Sequence, residues 1–559
     1  MTNDILLELE EDARDFWKVQ ENTLLRIIKE NQDTEYGRRC GFGRITSVEA
    51  FQKQVPVTDY ADYEEYVERM LAGGEKNLIT AYPVRYYMVS SGTTGAQKQI
   101  PMTEPGIDHY GRYSYACAYE MIMDHYRQKG LHMEKEELFG RIFLLNEIRC
   151  RLLRDGVQTL LVSSAVFQRE RERGSFDSSR YTSPREVLFP EYQMDMNYLK
   201  LRFALACADV TAIEAVYVHQ IVNMLYYLKK NWVLLADDIA AGTISPQADV
   251  PEEIRVRLRT RLHPDPERAA YLRREFQKGF DTPIVPRIWP KLRFVMAIGG
   301  EVFAAHMKKL QKDIGEIPFH YFIYAASEGI FGTAYGVGRP DAYVLTPGTG
   351  FFEFLPAGRE DSGQICGSRE VGQGKKYELV VTGTAGFYRY RMGDVIEVVD
   401  FYHKAPVIRF CYRSVQSVNV AGEKMDMENF AKAVKAFAHT YGIGIGEFCI
   451  YPDVDETPAR YLVLLEASAD EILPDQPDRA AETMDRLLRR QHLGYDDCRG
   501  LGEIGMPVVY FLRQGASLRY QKHLMTQGIE TGQYKPVRIL DTEEKKEFFF
   551  GEILDEIWW

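Results

Sequence analysis

The 559-residue sequence has no Cys-x-x-Cys pair, no histidines at metal-ligand spacing, no internal repeat and no low-complexity tract. Nor does any apolar run approach the ~20 residues that a bilayer-spanning helix needs. The eight cysteines (Cys40, Cys117, Cys150, Cys207, Cys366, Cys411, Cys449, Cys498) stand singly. That is the pattern of reduced thiols in a cytosolic protein, not of a disulfide framework or a structural zinc. Positive charge is scarce as well. Against 81 acidic residues there are 69 basic ones, a net charge of -12, so no global field draws nucleic acid or anionic lipid. The opening MTNDILLELEEDARDFWKVQENTLLRIIKEN lacks a basic segment followed by an apolar stretch, and no signal peptide is expected. These absences lead us to expect a cytoplasmic protein with no nucleic-acid partner and no membrane, monomer favoured.

What is present is an ordinary globular composition, 45% apolar and 12% aromatic, in a chain long enough for roughly two to four domains. Phe16, Val19, Leu24, Ile27 and Ile28 recur at helical spacing near the start. Val84 to Val89 reads as a strand, and Ala212 to Trp232 as a long amphipathic span. Leu292 to Ile298 ends at Gly299-Gly300-Glu301 and leads into VFAAHMKKLQKDIG, a strand, a glycine turn and a helix. Such alternation predicts an α/β fold. The Arg-rich segment between Asp249 and Arg287 reads as a solvated helical face in preference to an anion-binding surface. From Tyr343 onward TPGTGFFEFLP, KYELVVTG and VIEVVDFY predict an antiparallel or mixed sheet of meandering strands. Beyond Arg413 the pattern restarts: a helix at Met425 to His439, strands at Phe448 to Tyr451 and Arg460 to Glu466, and a helix around Ala480 to Gln491. This places a domain boundary near Arg413, with a large unit over 1–412 and a small α/β unit over 413–559.

Four stretches could carry chemistry. Ser90-Ser91-Gly92-Thr93-Thr94-Gly95-Ala96-Gln97-Lys98 follows the first strand and packs hydroxyls, glycines and an ammonium together, which suits a phosphate cradle. Its glycine spacing differs from the Walker pattern, and a polar surface turn is the plain alternative. In Tyr324-Ala325-Ala326-Ser327-Glu328-Gly329 the aromatic could face a purine and the carboxylate could hold a hard cation such as Mg²⁺. Alternatively they are a buried Tyr beside a surface Glu. In Tyr388-Arg389-Tyr390-Arg391-Met392-Gly393-Asp394 the aspartate is placed to accept from a ribose diol, or else to close an Asp turn. Gln533-Tyr534-Lys535-Pro536-Val537-Arg538 puts a lysine in a short turn, where it could stabilise charge developing on a phosphate; most lysines are simply solvated.

In this order the four motifs resemble those of the adenylate-forming superfamily and, within it, of the Gretchen Hagen three family of acyl acid amido synthetases. TEYGRRCGF, PVTDYADYEEY, NWVLLADDIAAGTIS, WPKLRF and FFEFLP extend the likeness over nearly the whole chain. SSGTTGAQK and VNVAGEKMDMENF are closer to the generic superfamily form than to the plant version, as in a bacterial-like member.

The resemblance implies a large N-terminal adenylation domain and a small mobile C-terminal domain that rotates between half-reactions about a hinge near Arg413. It implies ATP and Mg²⁺ as cofactors, with a small carboxylic acid and an amino acid as substrates. Ser90, Ser91, Gly92, Thr93, Thr94, Gly95 and Lys98 would surround the triphosphate. Tyr324 would stack on adenine, Ser327 would touch the α-phosphate and Glu328 would hold Mg²⁺. Gly299, Gly300 and Glu301 would line the adenine side, Asp394 would bind the ribose with Arg413 beside it, and Lys535 would act on the adenylation transition state. The acid would lie between the helix near 105 to 125 and the segment 212 to 230, where Tyr113, Tyr115, Tyr217 and Met224 are pocket or core residues. Arg112 and Lys424 are the cations nearest in sequence for the acceptor carboxylate. Two rival readings share parts of this pattern: a thioester-forming ligase using coenzyme A or a carrier thiol, and a nucleotide-binding regulator without catalysis.

Overall fold

A computed structural model describes residues 4–90, 98–152, 158–160, 162–300, 303–357, 365–413, 417–467, 477–526 and 536–554, with Val89, Ser90, Arg151, Leu152, Arg413, Ser417 and Thr526 described by their backbone alone. By its internal contacts the chain divides into two units, Met1–Ser90 with Lys98–Ser414, and Val415–Trp559.

In the first unit the N-terminal amphipathic stretch forms two helices, Asp4–Arg14 and Phe16–Glu30, separated by Asp15. Phe16, Leu24, Ile27 and Ile28 are buried, as their spacing predicts. The strands Val84–Ser90 and Lys98–Thr103 form an antiparallel pair in which Ser90 faces Lys98.

A parallel sheet runs in the order Ile142–Leu144, Ala212–Tyr217, Phe294–Ile298 and Phe319–Tyr321. The span expected to be one amphipathic stretch from Ala212 is therefore a strand followed by the helix Val218–Ala241. Gln220 sets the junction, since its side-chain oxygen accepts from the N–H groups of Val216 and Tyr217 at 3.0 and 3.1 Å. This caps donors that no helical carbonyl can reach.

One residue, Phe322, joins this sheet to the next. The second sheet has seven strands, ordered Gly350–Pro356, Lys376–Gly383, Tyr390–Tyr402, Ala405–Arg413, Tyr343–Leu345, Gly329–Ala334 and Ile323–Ala326, with every neighbouring pair antiparallel. Inward-facing Phe351, Leu379, Val381, Ile396 and Val398 pack it into an aromatic-rich core with Tyr36, Phe42, Phe51 and Tyr388. A second core gathers around the helix Val218–Ala241 and the fully buried Trp289.

The Arg-rich segment forms the helices Glu252–Arg259 and Pro266–Gln277, which bury Ile254, Leu258, Leu272 and Phe276. Arg268 donates to the carbonyls of Leu205 and Ile288, both at 2.8 Å, so at least this cation holds backbone instead of awaiting an anion.

In the second unit the strands Ile445–Asp453 and Arg460–Ala467 pair antiparallel, and Val508–Leu512 joins the latter in parallel. The helices Met427–Tyr441 and Pro477–Gln491 contribute Phe430, Phe437, Met484 and Leu488 to its core. All eight cysteines are free thiols. Among the described residues no helix is long and apolar enough to cross a membrane.

Candidate functional site

Ser327 and Glu328 form the two-residue loop between Ile323–Ala326 and Gly329–Ala334, because Ala326 pairs directly with Gly329. So short a connection fixes the register and holds both side chains at the sheet end, partly exposed. Three residues earlier, Tyr324 is buried to 6% exposure, and its hydroxyl donates to Oδ2 of Asp394 at 3.0 Å. Asp394 follows Gly393, whose φ of +73° suits glycine, and it pairs across the ladder with Arg413. The adenine-type and ribose-type motifs thus meet through this hydrogen bond, although three strands stand between theirs in the sheet order.

Lys98 opens its strand beside them. Its Nζ donates to the Tyr390 hydroxyl at 3.4 Å and lies 5.4 Å from the centre of the Tyr60 ring. The Tyr60 hydroxyl accepts from the Gln99 N–H at 2.9 Å. Burial raises the Tyr60 phenol, and the charges of Glu64, Glu68 and Glu328 add to the shift. Tyr60 and Tyr390 therefore both flank the lysine, and Tyr60 also feels the charge of Glu328. The sequence reading gave neither a role, although both lie inside quoted phrases; their meeting depends on the long-range bridge between Thr58 and Tyr390.

Gly299 and Gly300 end the parallel strand Phe294–Ile298, at the carboxyl edge where open α/β sheets take ligands. Gly300 has φ +108°, and a Cβ there would stand 1.6 Å from Oδ1 of Asp341. Packing alone already demands this glycine.

The remaining residues of the ribose-type motif are structural. Tyr388 is fully buried, stacked 5.2 Å from Tyr36, and donates to the Ile79 carbonyl at 2.8 Å. Arg389 holds Glu353 through two bonds of 3.0 Å, and Arg391 holds Glu378 at 2.9 and 2.7 Å.

Ser91, Gly92, Thr93, Thr94, Gly95, Glu301 and Lys535 lie outside the described residues. Among the described residues no group of three His, Cys, Asp or Glu side chains could hold a metal. A single carboxylate at Glu328 nevertheless fits Mg²⁺, which keeps several waters and binds through one or two carboxylates plus substrate phosphates. Of the four pocket candidates, Tyr113 and Met224 are buried in the cores, while Tyr115 and Tyr217 keep partly open surface. Arg112 pairs with Glu8 at the surface, and Lys424, at φ +54°, belongs to the second unit.

Residues 5–319 match the GH3 family N-terminal domain, 343–413 the GH3 family central domain and 428–544 the GH3 family C-terminal domain. The chain is 28% identical over 545 residues to the indole-3-acetic acid-amido synthetase GH3.8 of Oryza sativa subsp. indica, covering 93% of this chain and 87% of that protein. It is 26% identical over 572 residues to the jasmonoyl-L-amino acid synthetase GH3.5 of Oryza sativa subsp. japonica, covering 96% and 95%. In fold it is similar to the solved GH3.15 acyl acid amido synthetase, with a TM-score of 0.65 and 23% identity over 99% of this chain and 97% of that one.

Proposed function

The chain belongs to the GH3 family, and on that premise we propose that it is an ATP-dependent acid–amino acid ligase that activates a small carboxylic acid as its adenylate. A carboxylate oxygen attacks the α-phosphorus of ATP, and the bond to pyrophosphate breaks. The amino group of an amino acid then attacks the acyl carbon, the bond to AMP breaks, and the amine proton passes to solvent. An amide and AMP are released.

The observation that carries this reading is the hydrogen bond between Tyr324 and Asp394, beside Lys98 and the Ser327-Glu328 turn, in a chain matched to one family over most of its length. Tyr324 offers its face to adenine while its hydroxyl orients Asp394 toward the ribose diol, and Arg413 lies beside them. The glycines at 299 and 300, with Glu301, border the adenine side. Lys98, with Ser90, Ser91, Gly92, Thr93, Thr94 and Gly95, cradles the phosphates; Ser327 meets the α-phosphate. Mg²⁺ held by Glu328 would supply positive charge to the phosphate oxygens when bound. Lys535, in the unit over 413–559, stabilises charge on the α-phosphate in the transition state. No covalent enzyme intermediate is required. The proposed setting is a cytoplasmic monomer without nucleic-acid or membrane partners.

The test is a pyrophosphate-release screen of carboxylic acids crossed with amino acids and coenzyme A, with the amide read by mass spectrometry. Amide formation is the expected result. Consumption of coenzyme A with none of the twenty amino acids conjugated would replace this reading with a thioester ligase. No pyrophosphate release with any acid would leave a nucleotide-binding regulator.

A further inference from the structure

Lys98–Thr103 is an outer strand of its four-stranded sheet, and outer strands present backbone groups that a further strand would otherwise pair. At Gln99, the residue after Lys98, one side chain takes that place. The Tyr60 hydroxyl accepts from the Gln99 N–H at 2.9 Å and donates to the Gln99 carbonyl at 3.3 Å. Both backbone groups of one residue are thus served by a single phenol, which fixes the point where the Lys98 side chain leaves the strand. Burial raises that phenol, so the hydroxyl keeps the proton it donates.

The same ring also reaches the other end of the lysine. The Lys98 Nζ lies 5.4 Å from the centre of the Tyr60 ring and 6.0 Å from that of Tyr390, within range of cation–π attraction to both. Neither ring is loosely held. The buried Phe387 stacks 4.9 Å from Tyr390 and meets Tyr60 edge-on at 6.3 Å. Thr58 donates its N–H to the Arg389 carbonyl at 3.0 Å and accepts from the Arg391 N–H at 2.9 Å, so it grips the strand on either side of Tyr390. Two residues on, Asp59 and Asp62 cap the turn that carries Tyr60, with bonds of 2.8 Å to the Ala61 N–H and 2.9 Å from the Asp59 N–H.

We infer that Tyr60 is a positioning residue for Lys98: it pins the backbone beside the lysine and, with Tyr390, confines the ammonium, so that the lysine meets the β- and γ-phosphates of ATP already oriented. The inference rests on the nucleotide-binding part of the reading above. A lysine ammonium rides on a flexible four-carbon stem and loses rotamer freedom when it engages a phosphate. Confining it beforehand reduces that loss, which is the gain from preorganisation. An aliphatic side chain would fill the half-buried position of Tyr60, yet it would supply neither the pair of backbone bonds nor the aromatic face.

The experiment measures the Kd of the full chain for ATP with Mg²⁺ and for AMP by calorimetry. No acid is present, so the result does not depend on which acid is activated. Tyr60→Leu removes ring and hydroxyl together and is expected to weaken ATP binding by roughly tenfold, the scale of a lost cation–π contact with the lost backbone hold. AMP lacks the β- and γ-phosphates, and its Kd should move by no more than about twofold. In a Lys98→Met background the same substitution should cost ATP nothing further, because the group it positions is gone. Tyr60→Phe keeps the ring and loses both backbone bonds, so its effect should fall between those of the intact protein and Tyr60→Leu; it carries the same cycle should Tyr60→Leu not fold. Unchanged ATP affinity, equal losses for ATP and AMP, or a full additional loss beside Lys98→Met would overturn the inference and leave the ligase reading standing. An intact protein that binds neither nucleotide would overturn both.

Discussion

Tyr324 and Asp394, 70 residues apart in the chain, are joined by a hydrogen bond of 3.0 Å that makes the adenine-type and ribose-type motifs one unit. A hydrogen bond to a charged acceptor contributes about 1.5–3 kcal/mol, so Tyr324→Phe is expected to raise the KM for ATP by roughly tenfold with kcat little changed. Asp394→Ala, which removes the ribose partner itself, should raise it further. Steady-state pyrophosphate release reads both; unaltered constants would take the pair out of the site.

Lys535→Ala is expected to show the opposite split. Acid-dependent pyrophosphate release should fall by about 100-fold or more, while the Kd for ATP, followed by calorimetry, changes little. Weakened ATP binding with normal turnover would contradict a transition-state role.

The Arg389–Glu353 pair is a matter of stability. Its side chains are 9% and 1% exposed, and Arg389 also donates to the carbonyls of Gln52 and Val55. Glu353→Ala leaves a buried guanidinium without its counter-charge, at a cost of about 3–5 kcal/mol. Urea unfolding of the variant should show that loss, and the double variant Arg389→Met with Glu353→Leu should regain much of it. An unchanged midpoint in the single variant would show that the pair contributes nothing net.

His320 is fully buried, with neither ring nitrogen hydrogen-bonded among the described residues, and burial pushes it down to about 3. His109 is pushed to about 4 by the same cause. Because the folded values lie below the ordinary 6.5, the unfolded chain takes the proton first. The stability from neutral burial is complete above about pH 6.5 and is lost as pH falls toward 3. The unfolding midpoint should therefore decline across that window, and less steeply in His320→Leu. Identical slopes for the two proteins would show that His320 titrates normally in the fold.

Amide formation needs a neutral amine, and α-amino groups titrate near 8, so its rate should climb between about pH 7 and 9. Adenylation should stay flatter, since the acid is already ionised. Single-turnover measurements of each half-reaction across that range separate them; parallel profiles would argue against amine attack as the pH-sensitive step.

The sequence made some of this architecture legible and hid the rest for physical reasons. FFEFLP, KYELVVTG and VIEVVDFY carry β-branched and aromatic residues between glycines, so local pattern sufficed for those strands; Asp394, read as a strand entrance, lies instead within the strand Tyr390–Tyr402, whose ladder runs on past Gly393. Ala212 to Tyr217 was not separable from the helix behind it. A parallel strand buried on both faces shows no polar alternation, leaving no period to distinguish it. The arginines flanking the ribose-type motif could be assigned only after Glu353 and Glu378 were brought opposite them by strand register. Tyr60 and Tyr390 were silent for the same reason.

Phe322 alone separates the edge strand of the parallel sheet from the edge strand of the antiparallel one. The two sheets therefore cannot reach their final positions independently of each other. Gly299 and Gly300 are placed by the first sheet, whereas Tyr324 meets Asp394 only when the second is complete. Nucleotide affinity should then emerge late on the folding path, after both sheets have docked. A ligand that recognises only the finished arrangement cannot hasten the early steps of folding, but it holds the completed unit against reopening. On the proposed reading, bound ATP would stabilise the completed unit by this linkage.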